Sequence, residues 1–151
     1  DLAILSFVQF DQLGNINVSV LGDKYFGCGG YIDICHGVKK IIFVGSFTAK
    51  GLEVSKDKNK IKIENEGLIN KAVNKVDEIT FSPKIQEQRD QEILIITERC
   101  VFEIKNNRVH LIEVTPGIDI ENDILKHMAF KPEISRCQNK AKRLSRYRKK
   151  K

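Results

Sequence analysis

Residues 27–54, GCGGYIDICHGVKKIIFVGSFTAKGLEV, constrain this chain more than any other stretch. A glycine cluster (Gly27, Gly29, Gly30) leads into a short patch with helical spacing. That patch leads into an apolar strand, and the strand into a second glycine-bounded turn holding Lys50. Glycines so closely spaced let the backbone take positive φ and approach another molecule without a Cβ in the way. Amide N–H groups exposed in that manner can hold an oxyanion or a phosphate. Lys50, between Ala49 and Gly51, adds a mobile positive charge.

The flanks read as strands with few helices. Residues 2–9 form an apolar run suited to one buried strand, residues 11–15 a turn, and Ile16, Val18 and Val20 alternate with polar neighbours. Residues 31–38 fit one or two helical turns with Ile32 and Cys35 on one side and Gly37 ending them. Residues 41–44 are a fully apolar strand. Residues 52–54 and 61–63 alternate with charged residues around SKDKNK, which reads as a hairpin with one wet face. Val73, Val76 and Ile79 fit either a strand pair or a short helix. Residues 93–97, 100–104 and 109–114 read as three strands, the last two joined by a tight turn at KNNR. Asp119 is placed to cap a helix running to Met128, with Ile120, Ile124, Leu125 and Met128 on one face. The expectation is an α/β domain: a mixed sheet with flanking helices.

Charge and cysteine usage remove several function classes. The net charge is +6, but eight Lys or Arg and no acid lie from Lys140 onward. Without them 18 basic residues face 20 acidic ones, so residues 1–139 do not resemble a nucleic-acid-binding domain. We therefore divide the chain into a domain at 1–137 and a basic, disordered tail at 138–151. No stretch approaches the roughly 18–20 apolar residues of a membrane helix. The start, DLAILSFVQFDQ, lacks a cationic leader, and Asp1 reads as a cut inside a longer protein. Cys28, Cys35, Cys100 and Cys137 form no CxxC pair, so we expect free thiols in a reducing cytoplasm and no metal site.

GCGGYID, KKIIFVGSFTAKGLEV, QEILIITERCVFEI and LIEVTPGIDIENDIL, in that order, resemble the C-terminal portion of a class I coenzyme A transferase. The nearest branch is the single-chain acetate/propionate/3-ketoacid CoA-transferases, and the resemblance covers residues 1–135. It implies exchange of coenzyme A between an acyl-CoA and a short-chain carboxylate. In the family an active-site glutamate attacks the thioester and passes through a glutamyl-CoA thioester. Each step needs donors aimed at an oxyanion. The backbone of Gly29 and Gly30 is the physical candidate for those donors, and the resemblance maps the family's CoA contacts onto Gly30 and Lys50. It places the catalytic glutamate upstream of Asp1, so no residue of this chain is catalytic and the isolated chain should not turn over. It further implies no cofactor besides coenzyme A as substrate, a partner in the missing upstream portion, and a homo-oligomer.

Other features have plainer readings. Asp33 is expected to anchor the glycine loop through backbone N–H groups. Glu98 and Arg99 are expected to pair near a sheet end, and the charges between Glu53 and Lys60 to be a solvated face. His36, His110 and His127 stand beside no serine or cysteine motif. The tail, NKAKRLSRYRKKK, offers a second function, a non-catalytic module that binds polyanions.

Overall fold

The computed structural model describes residues 1–86 and 90–139. The side chain of Cys137 and the basic tail from residue 140 lie outside the described residues, while Gln138 and Asn139, counted with the tail above, close the last strand. Along the chain, β1 (Leu2–Ser6), β2 (Gln9–Asp11), β3 (Ile16–Asn17), β4 (Val20–Leu21) and β5 (Lys24–Tyr25) precede the helix α1 (Tyr31–Gly37). Next come β6 (Lys40–Val44), β7 (Thr48–Ala49), β8 (Glu53–Asp57), β9 (Lys60–Asn65), β10 (Ile69–Asn70) and β11 (Ala72–Val73). After one helical turn, α2 (Pro83–Gln86), follow β12 (Glu92–Ile96), β13 (Cys100–Lys105), β14 (Arg108–Val114) and β15 (Glu133–Asn139).

The main sheet has six strands in the order β1-β6-β12-β13-β14-β15. β1, β6 and β12 are parallel to one another, and β13 is antiparallel to both β12 and β14. β15 then pairs parallel with β14. This is the mixed sheet expected from the sequence, with short helices beside it. Strand pleating sends alternate side chains to opposite faces. The register aligns Ala3, Ile41, Ile93, Ile104 and Val109 in one row, and Phe43, Ile95, Phe102 and Leu111 in the next. These residues are buried, Ile41, Phe43, Ile95, Phe102 and Leu111 completely. Burying each large side chain contributes about 1.5–3 kcal/mol, so this face carries much of the stability.

The core face is covered by α1, by the small sheet β11-β2-β3, and by the segment around Ile124. Phe10 is the hub, meeting Phe7 edge-on at 5.7 Å, Phe130 edge-on at 6.0 Å and Phe102 at 5.6 Å. On the opposite face Leu2, Ile4 and Val44 stay exposed at 52%, 63% and 43%. An apolar patch on that side is unusual for a finished surface.

Four local expectations change. The run at residues 2–9 breaks at Phe7, because β1 pairs with β6 while β2 leaves to pair with β3 and β11. In α1 the buried pair is Tyr31 and Cys35, and Ile32 is 43% exposed. The Tyr31 ring stacks on Phe43 at 6.0 Å and its hydroxyl donates to the Ser6 carbonyl at 3.0 Å, which turns the helix away from Ile32. Among Val73, Val76 and Ile79, Val73 enters β11, Val76 is buried and Ile79 is exposed. Asp119 does cap, its side chain accepting from the Asn122 amide at 2.8 Å, but the turns it opens are a π turn (Ile120–Ile124) and a 3-10 turn (Leu125–His127). The apolar face is as expected, with Ile124 buried and Ile120, Leu125 and Met128 packed on the core.

Candidate functional site

The direction of α1 decides where the glycine loop lies. Its first residue bonds to Ser6, at the C-terminal end of β1. Its last turn meets the start of β12, where Gln91 Nε2 donates to the Cys35 and Val38 carbonyls at 2.8 and 2.5 Å. The Gly27, Gly29 and Gly30 loop therefore sits at the C-terminal edge of the parallel strands. So does the turn after β6, because the Gly45 amide donates to the Ile96 carbonyl at 3.2 Å. The two glycine-bounded loops, separated in sequence, share one edge of the sheet. Open α/β sheets bind ligands at this edge.

Gly27 and Gly29 hold φ of +72° and +53°, which glycine adopts without strain. Gly30 is different. Its φ is −82°, it caps α1, and a Cβ placed there would meet nothing within 4 Å. Among the described residues, the Gly29 and Gly30 amides donate no hydrogen bond. Lys50 is exposed with φ +64°, a left-handed conformation uncommon for a side chain of its size. Its carbonyl accepts from the Leu68 amide at 3.0 Å, which fixes the turn. Asp33 does not anchor the loop as expected: it is exposed, its side chain makes no hydrogen bond among the described residues, and it stands in the first turn of α1. There its charge complements the helix dipole.

A buried ion cluster holds the turn that carries Lys50. Arg99 is fully buried and donates Nη1 and Nη2 to Glu66 at 2.8 and 2.6 Å, and Nε to Glu98 at 2.9 Å. Glu98 Oε2 accepts from the Phe47 amide at 2.9 Å, and Glu66 Oε1 from Thr48 Oγ1 at 2.5 Å. Nη1 also reaches the Asp123 carbonyl at 2.6 Å, and His127 Nε2 stands 3.2 Å from Glu66. Burial pushes the Glu66 carboxyl up, yet the hydrogen bonds of Arg99 and Thr48 and the charges of Arg99 and His127 hold it down at about 2. Burial likewise pushes the Arg99 guanidinium down, and Glu66 and Glu98 outweigh it and raise it. Gly67 completes the fit, since a Cβ there would stand 2.6 Å from the Ala49 carbonyl.

The Glu98–Arg99 pair is as expected, but its partners Glu66, Thr48 and His127 were missed; no local pattern connects them. Lys71 was missed as well, an ordinary lysine in the sequence and a buried one in the fold. Among the described residues Cys28, Cys35 and Cys100 form no disulfide, and burial pushes the Cys35 thiol up to about 11, which leaves it unreactive. Among the described residues no group of His, Cys, Asp and Glu could hold a metal ion, and no helix is long and apolar enough to cross a membrane.

No protein-family model matches the chain. It is 45% identical over 140 residues to caffeate CoA-transferase of Acetobacterium woodii, covering 89% of this chain and 26% of that protein. It is 44% identical over 135 residues to acetate CoA-transferase YdiF of Escherichia coli K12, covering 89% and 25%. The solved acyl-CoA transferase YdiF of Escherichia coli O157:H7 matches it with a TM-score of 0.88 at 42% identity, over 92% of this chain and 28% of that one. The chain belongs to the coenzyme A transferase family. It spans about a quarter of the length of the curated CoA-transferases it matches. A CoA-transferase structure with the same match was solved as a thioester complex with CoA. The decarboxylase AibA/AibB, at 16% identity and a TM-score of 0.62, shares the fold alone.

Proposed function

We propose that this chain is the CoA-handling part of a transferase that exchanges coenzyme A between an acyl-CoA and a short-chain carboxylate. The observation that carries the reading is the 42% identity and TM-score of 0.88 to an acyl-CoA transferase solved with a CoA thioester. In this reading a glutamate outside the chain attacks the thioester carbonyl, and coenzyme A leaves as its thiolate. The thiolate then attacks the resulting anhydride to give the glutamyl-CoA thioester, releasing the donor's carboxylate. The acceptor carboxylate reverses these steps. Each attack builds an oxyanion, and the unbonded amides of Gly29 and Gly30 are the donors placed to receive it. Gly30 supports this role, because neither its φ nor any neighbour requires a glycine there. Lys50 supplies a cation for the anionic part of coenzyme A.

The exposed apolar face of Leu2, Ile4 and Val44 suits cover by the remaining portion of the transferase. A cytoplasmic homo-oligomer fits a metabolic thioester substrate and the absence of a disulfide among the described residues. The polyanion-binding alternative rests on residues outside those described, and the named relatives favour the transferase. Borohydride trapping or a mass shift for a glutamyl-CoA adduct tests the reading. The complete transferase incubated with acyl-CoA should carry the adduct on a residue beyond this chain. An active complete enzyme without any such adduct would refute the mechanism.

A further inference from the structure

Lys71 lies between β10 and β11, its carbonyl accepting from the Phe10 amide at 2.9 Å, so its backbone is fixed. The residue is only 8% exposed. Its side chain runs to the C-terminal edge where the parallel strands end. Nζ lies 3.9 Å from the centre of the Phe7 ring, which follows β1. It also lies 2.9 Å from where a Cβ on Gly45, which follows β6, would stand. The nearby charged group is Glu98, which follows β12. Both Glu98 oxygens are already engaged, one by Arg99 Nε and the other by the Phe47 amide. No hydrogen bond or ion pair joins Lys71 Nζ to any described residue.

An ammonium has three donors, and burying it without a hydrogen-bonded partner is strongly unfavourable. The cation–π contact with Phe7 offsets only part of that cost. If filling space were the only requirement, a methionine would occupy the same volume without the charge. Gly45 also keeps the space beside Nζ free of a side chain. The arrangement is that of a cation held ready for an anionic guest. One positive charge beside an aromatic wall fits a monoanion, and thus a single carboxylate group better than a phosphate. Consistent with this, burial holds the ammonium down at about 8, with Glu98 acting in the opposite sense.

We propose that Lys71 Nζ receives a carboxylate at the C-terminal edge of the parallel strands, as a binding residue for the carboxylate side of the exchange. This rests on the transferase reading above. The carboxylate can come from the free substrate or from the enzyme's own glutamate, and the experiment separates the two. In the 151-residue chain, the Lys71 15Nζ and 13Cε resonances are followed by NMR against pH, with and without sodium acetate. Saturable acetate binding that raises the Lys71 pKa, and weakens as pH rises above about 8, supports a free substrate carboxylate. In the complete transferase, Lys71→Met is then expected to raise KM for the carboxylate about tenfold or more, with KM for acyl-CoA unchanged.

No response to acetate, combined with a Lys71→Met enzyme whose kcat falls while both KM values hold, assigns the guest to the enzyme's glutamate. If acetate gives no response and Lys71→Met leaves the kinetics unchanged, the proposal is overturned. The wild-type titration keeps the test valid if Lys71→Met misfolds: an ordinary lysine pKa insensitive to acetate also overturns it. Coenzyme A binding, measured separately on the same samples, shows whether the transferase reading itself has failed.

Discussion

Arg99 illustrates how a single buried charge can organise a loop. The guanidinium is fully buried, stacked 4.9 Å over the Phe47 ring, and paired with two carboxylates. Removing one partner of such a group leaves the others uncompensated, at about 3–5 kcal/mol. Arg99→Met should therefore lower stability by about that much in chemical denaturation, with the Phe47–Lys50 turn loosened. Glu66 sets the pH dependence. Its carboxyl ordinarily titrates at 4.5 and is held near 2 in the fold, so its contribution is complete above about 4.5 and is lost as pH falls toward 2. Unfolding free energies measured across that window should fall with pH in the wild type, and the Arg99→Met chain should lose much of that slope. A Glu98–Arg99 pair could be read from the sequence because its members are adjacent. Glu66 could not, being 33 positions from Arg99 and brought in only by the tertiary fold.

At the scale of elements, the readings that held rest on strong local signals. Alternating apolar residues gave β12, β13 and β14 their places, and Asn106 and Asn107, both with φ of +52°, make the tight turn between the last two. Asp119 was legible as a cap for the same reason: its acceptor satisfies a backbone donor three residues on. The winding that follows was not legible, because the segment closes around Arg99 through the Asp123 carbonyl. Asp119→Ala is expected to cost about 1 kcal/mol. Thermal unfolding should show a lower midpoint, with His127 drawn away from Glu66 in the histidine NMR spectrum. An unchanged midpoint would mean that burial of Ile124 alone holds the segment. α1 was misread by one position because helical spacing in seven residues cannot choose between Tyr31 and Ile32. The choice comes from Phe43 and Ser6, which lie on other elements.

For the whole molecule, the sheet converts distance in sequence into proximity at one edge. β1, β6 and β12 end together, α1 begins where β1 ends, and the Arg99 cluster fixes the turn that follows β6. The motifs of the candidate site were visible as glycine spacing and a lysine, and their shared edge follows from the antiparallel course of α1 against β6. What the sequence could not convey is which amides stay unbonded, since that depends on every neighbour. If this edge handles coenzyme A, backbone amide NMR of the 151-residue chain titrated with coenzyme A should reveal it. Saturable shifts centred on Gly29, Gly30 and Lys50 are expected, with Glu133 at the start of β15 unmoved. Shifts confined to the basic residues from Lys140 onward, or none at millimolar coenzyme A, would contradict it.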